Sequence, residues 1–146
     1  MPGKVTFELK GGKEMEALLK DLGPKIASRL GDKALRAAAK PIVREAKRLV
    51  PVRTGELRKS IVAVASKRGR QADERLVEIG FKPPASRRAH FIEYGTSRAA
   101  AHPFIRPAMD ARASEALNEM VTALAIGIER EEWKQAISEG ELIEVE

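Results

Sequence analysis

One group of side chains in this sequence combines residue types that can bind a metal ion or transfer a proton, and it consists of His90, Glu93 and His102. A helical zinc site places two histidines four positions apart with a glutamate between them. Here the two histidines are twelve positions apart, and a Gly-Thr turn separates them. The spacing therefore argues against a metal site, and His102 is predicted instead to position the turn at Pro103.

Other kinds of catalytic site also lack their usual sequence signatures. Ser60, Ser66, Ser97 and Thr54 carry hydroxyl groups, but none lies in a G-x-S-x-G turn. The chain contains no cysteine, which excludes disulfides and cysteine-bound zinc. We therefore predict no enzymatic activity, no cofactor and no metal. A hydrolase that uses the two histidines and Glu93 is kept as an alternative.

The charge is distributed unevenly along the chain. The net charge is +6, but residues 129–146 contain seven acidic and two basic side chains, which leaves +11 on residues 1–128. A basic body with an acidic tail is typical of a protein close to a polyanion or of copies that contact one another head to tail. The third interpretation is that these charges lie on solvated helix faces and balance locally.

Two basic clusters make nucleic acid a plausible partner. Residues 33–60 contain nine Lys or Arg and two Glu, and residues 84–112 contain five Arg, one Glu and one Asp. Such clusters can neutralise phosphates. The sequence shows no helix-turn-helix, zinc finger or stacking-aromatic motif, so contact with DNA is predicted to occur without sequence-specific readout.

Apolar residues recur at helical spacing in three stretches. The first covers residues 13–22, and a Gly-Pro pair ends it. The second runs from residue 24 to residue 50. Pro41 lies inside it and removes a backbone hydrogen bond, which predicts a kink or a break into two helices. The third follows Pro103 and extends to about residue 136.

Three other stretches have the composition or alternation of strands. They are residues 5–9, 57–66 and 74–81, and the last two are predicted to pair as an antiparallel hairpin. Residues 89–94 fit either a third sheet strand or a helical turn.

The predicted fold class is α+β, with a small antiparallel sheet packed by a long central helix and a long C-terminal helix. A chain of 146 residues is long enough for one core and too short for two ordinary domains. We therefore predict one domain over residues 1–136 and an acidic tail over residues 137–146. No signal peptide or spanning apolar run is present, so a membrane partner is not expected.

Three short motifs carry a family resemblance. They read VPVRTGELRKSI at residues 50–61, IEYGT at 92–96 and HPFIRPA at 102–108. In this order and spacing they resemble the tail-completion, or neck, proteins of long-tailed phages, the gene-product-ten family of lambdoid siphophages. The resemblance covers roughly residues 4–128. The His90-Phe91 pair before the second motif replaces an expected tyrosine, and the acidic tail has no counterpart in the family pattern.

The resemblance implies a structural virion protein, assembled in the host cytoplasm and located in the tail or neck. It implies a homo-oligomeric ring around the DNA path, with six copies favoured over twelve. Head-completion and tail-terminator or tail-tube proteins are the expected partners, and DNA passes through the lumen. A free, non-sequence-specific nucleic-acid-binding protein is the alternative function.

The resemblance also gives candidate site residues. The residues expected to contact other subunits or partners are Pro51, Arg53, Thr54, Gly55, Leu57, Glu93, Tyr94, Gly95, Thr96, His102, Pro103, Phe104, Arg106 and Pro107. The residues expected to face DNA are Arg44, Lys47, Arg48, Lys67, Arg68, Arg70, Arg87 and Arg88. Phe104 has two possible roles, because it could fill the core of its own chain or anchor a neighbouring subunit.

Overall fold

A computed structural model describes residues 12–65 and 77–138 of the chain. Its elements in chain order are α1 (Gly12–Asp21), α2 (Pro24–Leu49), α3 (Glu56–Ser60), β1 (Ile61–Ala65), β2 (Val77–Phe81), α4 (Ser86–Tyr94) and α5 (Ile105–Ser138). The predicted α+β class is confirmed, with a small antiparallel sheet packed against long helices. The strand predicted at residues 5–9 and residues 139–146 of the predicted tail lie outside the described residues.

Helix α2 is the central element, and it does not break at Pro41. Gly23, with φ of 87°, turns the chain, and Pro24 then occupies the first turn, where a missing N–H costs nothing. The 26-residue helix continues through Pro41, which is buried. Of the predicted kink or break, the break is therefore wrong. Packing against α5 and the sheet along the length of α2 offsets the roughly 3 kcal/mol that an internal proline costs.

Helices α2 and α5 run antiparallel. Arg29 near the start of α2 bonds Glu131 near the end of α5, whereas Arg44 near the end of α2 bonds Glu115 in the first half of α5. The two helices share more contacts than any other pair of elements in the described ranges. None of the helices in these ranges is long and apolar enough to cross a membrane.

Two clusters of buried apolar residues lie along this helix pair. The first, which we call the motif core, consists of Ala46, Val50, Leu57, Ile61, Ala85, Ala89, Phe104 and Ala108. The second, which we call the helix core, consists of Leu22, Leu30, Ala34, Leu124 and Ile128. The motif core lies where α2 ends and α5 begins, and most of its residues belong to the sequence motifs or to α4.

Strands β1 and β2 pair antiparallel, with Ile61 opposite Phe81 and Ala65 opposite Val77, which confirms the predicted hairpin. The predicted strand over residues 57–66 starts too early, however, because residues 57–60 belong to helix α3. Leu57 and Ser60 are both buried at a spacing of three residues, and the Ser60 hydroxyl donates to the Leu57 carbonyl over 2.6 Å. Burial of this helical face overrides the strand preference of the sequence.

Residues 89–94, which fit a strand or a helical turn equally well, belong to helix α4. Ala85 and Ala89 face the motif core, and Ile92 packs against it. Phe91 and Tyr94 lie on the outer side of the same helix and are 48% and 59% exposed. The last helix, predicted from Pro103 to about residue 136, is confirmed as α5.

Replacing Phe104 with alanine is expected to lower the free energy of unfolding by about 3–5 kcal/mol, because its ring is completely buried and packs edge-on against Phe81 at 5.8 Å. The same substitution at the half-exposed Phe91 is the matched control and should change stability by less than about 1 kcal/mol. Urea denaturation followed by circular dichroism measures both. Equal losses for the two variants would contradict this description of the core.

Candidate assembly surface

The three sequence motifs meet at the end of the helix pair where α2 stops and α5 starts. Val50, Leu57 and Phe104 enter the motif core from the first and third motifs, and Ile92 of the second motif packs against them. Between residues 51–57 and helix α4 lies a cavity of about 520 Å³. The motifs therefore build one end of the molecule. This end has an apolar interior and a cavity at its surface.

The carboxylate of Glu93 holds the first turn of α5. Its Oε2 accepts hydrogen bonds from the backbone N–H groups of Phe104 at 2.8 Å and Ile105 at 3.1 Å, and its Oε1 accepts one from Arg106 at 3.2 Å. The first N–H groups of a helix have no partner within the helix. A carboxylate is also favoured there by the positive end of the helix dipole. Glu93 of the second motif therefore caps the helix that the third motif begins.

The next two residues supply the remaining backbone positions of this turn. Pro107 has no N–H group to satisfy, and Ala108 donates to the carbonyl of Phe104 over 3.3 Å. No backbone donor of the first turn is thus left without a partner. Glu93 of the second motif and Arg106-Pro107 of the third therefore act together, and the start of α5 has no unpaired backbone N–H group.

The loop between α4 and α5 is closed by its own hydrogen bonds. Gly95 has φ of 75°, and a Cβ atom there would lie 2.8 Å from the backbone nitrogen of Ala101, so a side chain is excluded. The Thr96 hydroxyl accepts from the backbone N–H of Ala99 at 3.0 Å, and the Thr96 N–H donates to the Ala99 carbonyl at 2.9 Å. Residues 96–103 are all exposed on this closed loop.

His90 and Glu93 line one cavity of about 280 Å³, whereas His102 lies in the loop after α4. The backbone N–H of His102 donates to the Ile92 carbonyl at 2.8 Å, while its side chain is exposed. The ring of His90 lies 4.9 Å from the ring of Tyr94, and Glu93 is engaged by the backbone of α5. Within residues 12–65 and 77–138, no group of three or more His, Cys, Asp or Glu could hold a metal ion.

The predicted contact residues fall at one end of the molecule but differ in exposure. Leu57 and Phe104 are buried, so their side chains support the surface from below. The half-buried members are Gly55, Glu93, Gly95 and Pro107. The exposed members are Pro51, Arg53, Thr54, Tyr94, Thr96, His102, Pro103 and Arg106.

Two exposed apolar side chains at this end were not among the predicted contact residues. Val52 is 58% exposed and Phe91 is 48% exposed. The placement of Phe91 depends on α4 being a helix, and the sequence left that open. We use the name assembly surface for the exposed side chains of Val52, Arg53, Phe91 and Tyr94 together with the loop 96–103.

The residues predicted to face DNA are partly neutralised by carboxylates. Arg44 lies 2.6 Å from a carboxylate oxygen of Glu115, and Arg88 lies 3.6 Å from one of Glu56. Arg48 donates from Nε to Glu45 over 3.0 Å. Arg87 is exposed and Lys47 is half-buried, whereas Lys67, Arg68 and Arg70 lie outside the described residues.

A continuous basic stripe follows one face of α2. Its members are Lys33, Arg36, Lys40, Arg44 and Lys47. Spacings of three or four residues place them on one side of the helix, over about 21 Å. All but Lys47 are exposed, and Lys47 is half-buried. Of these five residues, Arg44 and Lys47 are among those predicted to face DNA.

Glu45 is a buried charge that links α2 to α5. The residue is 5% exposed and lies beside Arg48 of its own helix and Arg112 of α5, which is 3.2 Å away. The hydrogen bond from Arg48 lowers the pKa of the Glu45 carboxyl below its ordinary value of 4.5, and Arg112 lowers it further, against the opposing effect of burial.

A family model matches the part of the chain that runs from α1 to the end of α4. The fold defines the class of the protein as a small α+β domain in which the three motifs lie at one end. A family model described as "Bacteriophage HK97-gp10, putative tail-component" matches residues 13–95, more than half of the chain. The chain belongs to this HK97 gp10-like family of phage tail components. No curated protein and no solved structure matches it.

The contribution of Glu45 to stability should depend on pH. Because its pKa is lower in the folded chain than in the unfolded chain, its contribution is present above the unfolded pKa and is lost as the pH falls through the folded pKa. The stability difference between the natural chain and Glu45→Gln should therefore shrink as the pH is lowered from about 7 to about 3. Urea denaturation at several pH values measures it. Exposed Glu129→Gln is the control, and parallel profiles for the two variants would refute the prediction.

Replacing Glu93 with alanine should lower the free energy of unfolding by about 2 kcal/mol, because three backbone N–H groups lose their charged acceptor. Glu93→Gln should lose less, since the amide oxygen still accepts but the charge at the helix terminus is gone. Glu119→Ala, at an exposed position of α5, is the control. Thermal and urea denaturation test the order, and a Glu93→Ala variant as stable as the control would show that the cap is dispensable.

Proposed function

We propose that this phage tail component is a tail-completion, or neck, protein that forms part of a ring around the DNA path. Family membership supports a structural role in the virion tail. The observation that carries the proposal further is the assembly surface, where exposed aromatic side chains lie beside a closed, exposed loop.

The chemistry of the assembly surface suits contact between proteins. The chain has only six Phe, Tyr and Trp residues, yet Phe91 and Tyr94 are both largely exposed on the nine-residue helix α4. Aromatic residues are enriched in the buried centres of protein interfaces. The loop 96–103 is already ordered by Thr96 and Gly95, so binding through it loses little conformational entropy.

A ring would place this surface against a neighbouring copy or against an adjacent ring. The expected neighbours are a head-completion protein on one side and a tail-terminator or tail-tube protein on the other. Six copies are favoured over twelve, in keeping with the six-fold tails of siphophages. A closed ring uses one heterologous interface repeated around the axis.

The basic stripe on α2 fits the same proposal and also favours a second candidate function. Lys33, Arg36 and Lys40 are exposed along one side of the helix and could face phosphates in the lumen. The second candidate is a free protein that binds DNA without reading its sequence. It requires binding to duplex DNA by the isolated chain at physiological salt, falling steeply as salt rises.

The mass of the purified protein, measured by light scattering with and without head-completion and tail-tube proteins, tests the proposal. A discrete species of six or twelve copies is expected, because family membership and the assembly surface support a ring. Phe91→Ala/Tyr94→Ala should weaken its formation by at least about tenfold, because aromatic anchors contribute strongly to interfaces. Ile126→Ala, which truncates a 50% exposed apolar side chain on α5, is the matched control.

One result of the same measurement would contradict the neck proposal. A chain that stays monomeric with these partners but shifts in mass on adding duplex DNA would overturn the neck proposal. Reduced DNA affinity in Lys33→Glu/Arg36→Glu would then assign the binding to the stripe on α2.

A further inference from the structure

Two adjoining cavities form a groove at the motif end of the molecule. The cavity of about 520 Å³ between residues 51–57 and α4 adjoins another of about 350 Å³. Glu56 and Arg88 line both. Lys59 and Lys82 line the second cavity. We call the two cavities together the basic groove.

The basic groove combines positive charge with an apolar wall. Four basic side chains and one acidic side chain line it, and they are Arg53, Lys59, Lys82, Arg88 and Glu56. The apolar wall of the groove consists of Val52, Leu57 and Ile92. Val52 is 58% exposed, so a bound ligand could cover it. A suitable ligand therefore carries negative charges and apolar side chains in close alternation, which fits an acidic peptide better than a nucleic acid backbone.

The chain itself contains such a segment. Residues 139–146 read EGELIEVE, with four glutamates, three large apolar residues and no basic residue. From Glu141 onward, acidic residues flank the Leu142-Ile143 pair and Val145. This pattern complements the groove in both charge and apolar character.

The length of α5 places this segment too far from the groove of its own molecule. The bond from Phe104 to Glu93 ties the start of α5 to α4, and α4 forms one wall of the groove. The 34 residues of α5 span about 50 Å. Eight further residues reach back at most about 28 Å even when fully extended. With α5 intact, the groove that residues 139–146 can enter belongs to another copy.

We infer that residues 139–146 of one copy bind in the basic groove of a second copy. This inference rests on the self-assembly proposed above and supplies a contact for it. The contact joins unlike surfaces at opposite ends of the molecule, so it is heterologous and can repeat from copy to copy. The acidic tail and basic body of the sequence are the two halves of this contact.

A charge exchange in the full-length chain tests the inference. The groove variant is Arg53→Glu/Arg88→Glu, and the tail variant is Glu141→Lys/Glu144→Lys. Both arginines are exposed, so the groove variant should keep its fold, and circular dichroism checks the fold of both variants. Sedimentation velocity at low salt, with and without the phage partners, gives the association constant for each chain.

Each variant alone should self-associate at least about tenfold more weakly than the natural chain, because like charges then face each other. An equal mixture of the two should recover association, since each groove then meets a tail of opposite charge. Lys33→Glu/Arg36→Glu makes the same change in charge on the α2 stripe and should leave association unchanged.

Four outcomes would overturn the inference, and together they distinguish its failure from failure of the proposed function. If the natural chain forms a discrete ring and both variants form it equally well, the tail contact is wrong and the ring proposal stands. If the mixture stays as weak as its components, the effect is not pairing of tail and groove. If the natural chain does not self-associate with or without partners, the inference and the ring proposal both fail. Loss of DNA binding in the groove variant, with self-association unchanged, would assign the groove to nucleic acid.

Discussion

The capping of α5 by Glu93 is the interaction on which the functional end of the molecule depends. One carboxylate satisfies the backbone donors of Phe104, Ile105 and Arg106, and Pro107 needs no acceptor. Because Glu93 belongs to α4, the bond fixes the distance between α4 and α5 and closes the ends of the loop between them. The position of the exposed loop is therefore as well defined as the positions of the two helices that flank it. Phe104, at the start of α5, is held with its ring in the motif core.

Ion pairs between α2 and α5 determine which charged side chains remain accessible on the basic body of the protein. Glu45 and Glu131 are both buried and pair with basic residues of the opposite helix, which are Arg112 and Arg29. Pairing keeps these carboxylates charged inside the helix pair. The paired arginines are therefore less available for contact with DNA. Within residues 12–65 and 77–138, exposed cations lie along the stripe of α2 and around the basic groove, which gives this part of the chain two basic regions.

Much of the fold follows from periodicity in the sequence. The long helices were predictable because apolar spacing is sustained over many turns. The hairpin was predictable because a run rich in Ile, Val and Ala precedes a polar stretch and an alternating run follows it. Prediction failed where segments are short or where packing outweighs local preference. Residues 57–60 read as strand, but Leu57 and Ser60 bury one helical face. Pro41 suggested a break, but it lies buried within a continuous helix.

The sequence by itself determined the family, the long helices and the uneven charge, because motif spacing, apolar period and residue counts are properties of the chain order. Only the tertiary structure decided which motif residues are core and which are surface. Phe91 and Phe104 have the same side chain, yet one is half exposed and the other fully buried. The difference arises because α4 turns one face to the motif core and the other to solvent, while the Glu93 cap directs the start of α5 inward. Burial depends on the elements that pack around a residue, and their arrangement is fixed only when the chain folds.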